Sequence, residues 1–332
     1  MKRYLLVILI FFTFPLRGGT GRDSQPLSTE QEQQFTYYWY AAKQAIQEER
    51  YDDALVLLEF CNAINPTDGA TLEALGVIYD ALGQSDKALE LWRRSFEVAP
   101  RDQWYRYSAA LLNQKTDAAR KEALRVLEKA YKGEGANGRK AKVSTDENLL
   151  EQLLRLYMSE ERWKDALRMQ DELDRIKGYD VYSAYRRARI YSAMGKNKKA
   201  LAEIDKYLEE DPTNVQFRLY RIDVLTRMGA KPKELFDQYE QILSLEVYDL
   251  TILNNYAYLL ATRGGDLKKA ERMSRMTIQK EPDNPVYLDT YGWILHLQGQ
   301  DQLATFYLNK ALMNAPDRAV KLEILQHLNA IK

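Results

Sequence analysis

The side chains able to do chemistry are few and scattered. The chain holds two histidines, His296 and His327, and one cysteine, Cys61. A histidine can move a proton or ligate a metal. Neither of these sits in an HExxH run, and no second cysteine completes a CxxC pair. The GxSxG and P-loop patterns are absent, and Gly133-Glu134-Gly135 is a fragment with no strand leading into it. Carboxylates pair at Asp52-Asp53, Glu160-Glu161 and Glu209-Glu210, at turns and helix ends where acids cap helices or stay solvated. A lone cysteine forms no intramolecular disulfide, and Cys61 falls where a small packed residue is wanted. The expectation is a protein without catalytic residues, metal or cofactor.

What orders the chain is a repeat. Residues 285–316, PVYLDTYGWILHLQGQDQLATFYLNKALMNAP, give two short amphipathic helices. Leu288, Tyr291, Gly292 and Leu295 share one face of the first, and Ala304, Leu308 and Ala311 one face of the second. Gly299-Gln300 breaks between them and Pro316 ends the unit. Pro66 and Pro100 are 34 residues apart, as are Pro282 and Pro316, and Pro212 also ends a unit. Proline cannot continue a helix interior, so it punctuates. Counting back from the prolines gives eight units and a last helix, with unit three (103 to about 134) degenerate.

The order of large, large, Gly, Tyr and then Ala, aromatic, Ala, Pro at this period resembles the tetratricopeptide repeat. The resemblance implies an all-α fold, a right-handed superhelical solenoid of about eight helix-turn-helix units with a C-terminal capping helix. The segments expected are a leader over 1–21, a polar linker over 22–34, units one to three over 35–132, a Gly/basic loop over 133–146, units four to eight over 147–316, and a cap over 317–332. The loop either divides the stack in two or bulges from it. Leu322, Leu325, Leu328 and Ile331 are expected on the buried face of the cap, since an end repeat needs a lid with a polar outer side.

The resemblance further implies that the first helix of each unit lines a concave groove. Transferred by register, the groove residues are Trp39 and Lys43 of unit one, Trp104 and Tyr107 of unit three, and Arg155 of unit four. Tyr182, Tyr185 and Arg189 follow in unit five, Asn255 in unit seven and Trp293 in unit eight. Tyr, Trp and Arg are the types protein-binding surfaces favour. The function implied is a non-catalytic scaffold that holds a peptide or partner helix. A carboxylate clamp of the kind some such repeats carry is not met, because Ala74 stands where an Asn is wanted. Two alternatives remain. One is a cell-wall or carbohydrate binder stacking sugars on Trp39, Trp104 and Trp293; the other is a structural oligomer.

Lys2 and Arg3, the apolar run Tyr4–Phe14 and the small residues Gly19 to Gly21 read as a secretory signal peptide, too short to span a bilayer. No cysteine follows for lipid attachment. A periplasmic or secreted location is expected, and an uncleaved N-terminal anchor is the alternative. Lys+Arg and Asp+Glu balance at 48 each. Residues 101–200 hold an excess of basic residues, which points to an acidic partner. No nucleic-acid partner is expected of an exported chain.

Overall fold

A computed structural model describes residues 26–133, 143–246 and 249–331. The leader, and most of the Gly/basic loop, lie outside the described residues. These residues form seventeen helices and no strands. They fall into two compact units, which part after Gly178.

Unit 1 contains four antiparallel pairs: α1 (Thr29–Gln47) with α2 (Tyr51–Ile64), α3 (Gly69–Ala81) with α4 (Ser85–Val98), α5 (Trp104–Asn113) with α6 (Asp117–Lys132), and α7 (Glu147–Ser159) with α8 (Trp163–Lys177). Unit 2 contains α9 (Val181–Ala193) with α10 (Asn197–Glu210), α11 (Val215–Arg227) with α12 (Pro232–Leu243), α13 (Leu250–Thr262) with α14 (Leu267–Lys280), α15 (Pro285–Leu297) with α16 (Asp301–Asn314), and the single helix α17 (Arg318–Ala330). Within each unit every second helix packs on the first helix of the next pair, α6 on α7 included. The glycine-rich segment therefore does not interrupt the stacking around it.

The local chemistry repeats with the helices. Asp68, Asp146, Asp180, Asn214, Asp249 and Asn284 cap α3, α7, α9, α11, α13 and α15, each accepting from a backbone N–H of the first turn. Only α5 among these first helices lacks a side-chain cap, and it has ten residues. That is the physical content of the degenerate third unit. α1 starts at Thr29, inside the stretch read as a linker, because Ser28 and Gln31 close a capping box.

The turn inside most pairs is a Schellman motif. Gln84 N–H donates to Tyr79 O at 2.8 Å and Gly83 N–H to Asp80 O at 2.9 Å, and the same two bonds recur at Gly195–Lys196 and Gly299–Gln300. The motif needs a positive φ, which Gly83 adopts at 77°. Glu49 and Glu161 hold the same place at 58° and 56° without being glycine.

Ala54, Ala88, Ala166, Ala200, Ala270 and Ala304 are each the fourth residue of a second helix, and each is fully buried. A methyl there lets the two backbones of a pair approach. Gly76 and Gly292 are the facing contacts. A Cβ on Gly76 would lie 2.3 Å from Nε1 of Trp92, and one on Gly292 would lie 2.8 Å from Cγ of Leu308.

A second device joins one pair to the next. Tyr79 donates to Glu59 at 2.9 Å and Tyr157 to Glu128 at 3.0 Å, while Tyr256 donates to Glu240. In each case the tyrosine stands on a first helix and the carboxylate on the helix just before it. A cation closes each set: Lys87 over the Tyr79 ring, Arg162 on Glu128 and over Tyr157, and Lys269 on Glu240 and over Tyr256. Burial, then the Glu partner, push the Tyr157 and Tyr256 hydroxyls well above their ordinary range. Part of the tyrosine excess is thus spent on stacking.

The buried side of α17 differs from expectation. Ile324 is its buried residue, with Val320, Leu328 and Ile331 packed beside it on Leu288 and Leu308. Leu322 and Leu325 are exposed. Positions 320, 324, 328 and 331 form one stripe at 3.6 residues per turn, and 322 and 325 lie off it.

Candidate functional site

The first helices of three consecutive pairs in unit 1 enclose an open cleft of about 850 Å³. α3 contributes Glu73, α5 contributes Trp104, Tyr105, Arg106, Ala109, Leu112 and Asn113, and α7 contributes Asn148, Glu151, Gln152, Arg155 and Leu156; Asp102 and Asp146 stand at the mouths of α5 and α7.

Trp104 lines the cleft but is only 4% exposed, so it supplies a wall more than a platform. The ring of Tyr105 packs edge-on against it at 5.6 Å and is itself exposed. Arg106 approaches Glu73 at 3.5 Å. Burial raises the Glu73 carboxyl above its usual range, and Arg106 offsets this only in part. The Oε1 of Gln152 is shielded from solvent and accepts no hydrogen bond.

Of the groove residues expected in unit 1, Arg155 is exposed on the cleft wall. Tyr107 is not in the groove. It is buried, 5.9 Å from the Phe96 ring and 3.5 Å from Glu122. The cleft uses Tyr105, Arg106, Ala109 and Leu112 instead. A one-residue error in register rotates a side chain by about 100° around a helix, and α5 begins without the cap that fixes its neighbours. The same shift occurs on α1. Its open stripe is Gln33, Thr36, Tyr37, Tyr40 and Gln44, whereas Trp39 stacks on Phe35 at 6.4 Å and Lys43 is half-buried. The signal for the correct register was the N-cap, which Ser28 marks and α5 lacks.

In unit 2 the residues expected on α9 are exposed. Tyr182 is 67% and Tyr185 45% exposed, and the Arg189 guanidinium lies 5.7 Å from the Tyr185 ring. Tyr185 also meets Tyr220 at 5.8 Å, and Tyr220 lies 3.2 Å from the Ser192 hydroxyl, so the aromatic face continues onto α11. Asn255 is exposed on α13. Trp293 is covered. His327 of α17 stacks on it at 4.3 Å, and the same imidazole reaches both oxygens of Asp289 at 2.9 and 3.0 Å. Tyr258 of α13 is 6.2 Å from His327. The cap helix thus lies against Tyr258 of α13 and against Trp293 of α15, which the register assigned to the groove. Two of the three tryptophans proposed to stack on sugars, Trp104 and Trp293, are therefore not open platforms.

Among the described residues no group of three or more His, Cys, Asp or Glu side chains is placed to hold a metal. His296 contacts Asp301 at 2.7 Å. No helix of the described residues is long and apolar enough to cross a membrane.

Tetratricopeptide-repeat family models match residues 45–112 and 181–214. These two stretches carry tetratricopeptide repeats. The first match covers the second helix pair and its flanks, and the second covers α9 and α10. Over 133 residues the repeat-bearing chain is 27% identical to a TPR repeat-containing protein of Pseudomonas aeruginosa; the match takes in 40% of this chain and 22% of that one. A solved structure of Naa15/Naa10 bound to HypK-THB superposes on 91% of the chain and 46% of its own, with a TM-score of 0.59 and 15% identity. The C-terminal part of a TPR repeat-containing protein from Cytophaga hutchinsonii superposes on 76% of the chain and 98% of its own, with a TM-score of 0.51 and 16% identity. At these identities the likeness is one of fold: all-α repeats stacked as in tetratricopeptide solenoids.

Proposed function

We propose that the chain is a non-catalytic scaffold, exported from the cytoplasm, that holds an extended segment of another protein against its inner helices. The observation that carries this reading is the cleft between α3, α5 and α7, which no side chain of the described residues fills. It joins apolar residues (Ala109, Leu112, Leu156) to polar ones, the arrangement expected of a peptide site. The exposed Tyr182–Tyr185–Arg189 face of unit 2 supports a second contact. Exposed tyrosines beside arginine bury large area on binding and keep a polar handle.

Selection of peptides from a displayed library on the full chain tests the reading. Leu112→Asp should abolish binding of the selected peptides to unit 1, and Tyr185→Ala with Arg189→Ala that of peptides bound to unit 2, with helicity unchanged by circular dichroism. Peptides that bind all variants as well as the parent would remove the inner-helix assignment. Export rests on residues 1–21, with their basic start, apolar run and small-residue exit. A mature protein whose mass retains those residues would argue for an anchor instead.

A further inference from the structure

α17 is held to the rest of unit 2 by little. Ile324 is its one buried residue, whereas every other helix of the described residues buries two or more. Its polar anchor is His327, whose imidazole stacks on Trp293 at 4.3 Å and meets both oxygens of Asp289. Tyr258 of α13 flanks the same imidazole at 6.2 Å. Two aromatic rings and a carboxylate whose side chain is only 10% exposed thus surround one basic side chain, and these are the groups that hold a cation.

α17 fills this place imperfectly. Burial first, then Glu323 of α17 and Asp289, raise the Tyr258 hydroxyl above its ordinary range. The helix therefore brings an acid to a surface that already holds one. Asn254 is the fifth residue of α13, as Asp289 is of α15. On α3, α7, α9 and α15 that place faces the first-helix surface: Glu73 and Glu151 line the unit 1 cleft, Tyr185 is exposed and Asp289 meets His327. Asn254 is 3% exposed, and its Oδ1 accepts no hydrogen bond. An imidazole has at most two N–H donors, a guanidinium five.

We propose that Tyr258, Asp289 and Trp293 form a docking site for a helix of another protein that carries arginine at the place of His327, and that α17 is a stand-in which this helix displaces. The partner helix must also cover Leu288 and Leu308, on which Val320, Ile324, Leu328 and Ile331 now pack. Its arginine therefore lies in an apolar stripe at helical spacing. A guanidinium keeps the pairing with Asp289 and the stacking on Trp293, with donors to spare for Asn254. A helix without an acid at the place of Glu323 also removes the like charge. The site stands apart from the unit 1 cleft and does not depend on it.

The probes are two fluorescein-labelled peptides of residues 317–332, both carrying Glu323→Gln, one with His327→Arg and one with His327→Ala. Anisotropy is read with the full chain and with its His327→Ala variant, whose fold is checked by circular dichroism. Tethered α17 competes at high effective concentration, so the parent should bind both peptides weakly. The variant should bind the arginine peptide about tenfold more tightly than the parent does, and about tenfold more tightly than it binds the alanine peptide. Asp289→Asn added to the variant should erase the difference between the peptides. If His327→Ala does not fold, His327→Gln replaces it, and the parent alone must still favour the arginine peptide. Equal binding of the two peptides, or a preference that survives Asp289→Asn, would overturn the site. Equal binding of the arginine peptide to parent and variant would remove α17 as its occupant. Binding lost on Leu112→Asp would place the peptide in the unit 1 cleft instead. Binding of neither peptide would make α17 a fixed lid and overturn the proposal, while leaving the cleft reading intact.

Discussion

The first-helix surfaces of the two units are built from the same helix pairs and present different chemistry. In unit 1 the wall between α3 and α7 is rich in acceptors and leaves a cleft. In unit 2 the exposed α9 face carries Tyr182, Tyr185 and Arg189, and further along α17 closes the surface by setting His327 against Asp289 and Trp293. The backbone scaffold is therefore neutral about what it holds. A handful of side chains on the first helices, and whether a neighbouring helix covers them, set the difference.

The comparison breaks most visibly at the cover. Asp289 is 7% exposed and has His327 as its partner. His327→Ala should leave a buried carboxylate unpaired and cost unit 2 about 3 kcal/mol, read as a lowered urea midpoint, with Trp293 fluorescence becoming accessible to iodide. An unchanged midpoint would mean α17 is only resting there.

The matching change in unit 1 is Gly76→Ala. The added methyl meets the Trp92 indole, whose N–H donates to Glu73 O at 3.2 Å, so the cleft wall moves with it. About 2 kcal/mol should be lost. Gly292→Ala, against the flexible Leu308, should cost less. Equal costs would show that the two contacts are equally rigid.

The tyrosine–glutamate joints should make both units alike at high pH. The Tyr157 and Tyr256 hydroxyls are raised above the ordinary value of 10 by burial, then by Glu128 and Glu240. Their contribution is whole below pH 10 and is lost as pH rises through the higher folded values. Melting temperature should fall steeply above that pH, and Tyr157→Phe or Tyr256→Phe should flatten the fall while costing about 1.5 kcal/mol at neutral pH. A flat profile in the parent would contradict the joints.

The smallest effect is a gain. Glu161 holds φ 56° where other turns use glycine. Glu161→Gly should stabilise unit 1 by about 0.5–1 kcal/mol, the relief of a left-handed non-glycine less the added chain entropy. A loss would mean the Glu161 side chain makes a contact worth more than that strain.

The helix pairs were plain from the residues alone because their causes are local. Six alanines recur at one place in the second helices, aspartate or asparagine opens most first helices, and prolines close the units. None of this needs a distant neighbour to be read. Of the residues expected in the groove, Trp39 and Lys43 lie off the open stripe of α1 and Tyr107 is buried on α5, whereas Trp104 lines the cleft and Tyr182, Tyr185 and Arg189 are exposed on α9. Around a helix one residue is a large rotation; α5 begins without a side-chain cap, and α1 begins at the Ser28 cap inside the stretch read as a linker. The face of α17 was misassigned for a similar reason, since Leu322 and Leu325 are as apolar as Ile324.

By itself, then, the order of residues determined that there would be paired helices, where they begin, and which small side chains let them touch. Tertiary structure alone decided that Tyr107 is buried and Tyr105 exposed, that Trp293 lies under His327, and that residues of three separate helices line one cleft. Those outcomes depend on the distances between pairs and on their crossing, which are set by the sum of many contacts rather than by any one stretch of chain.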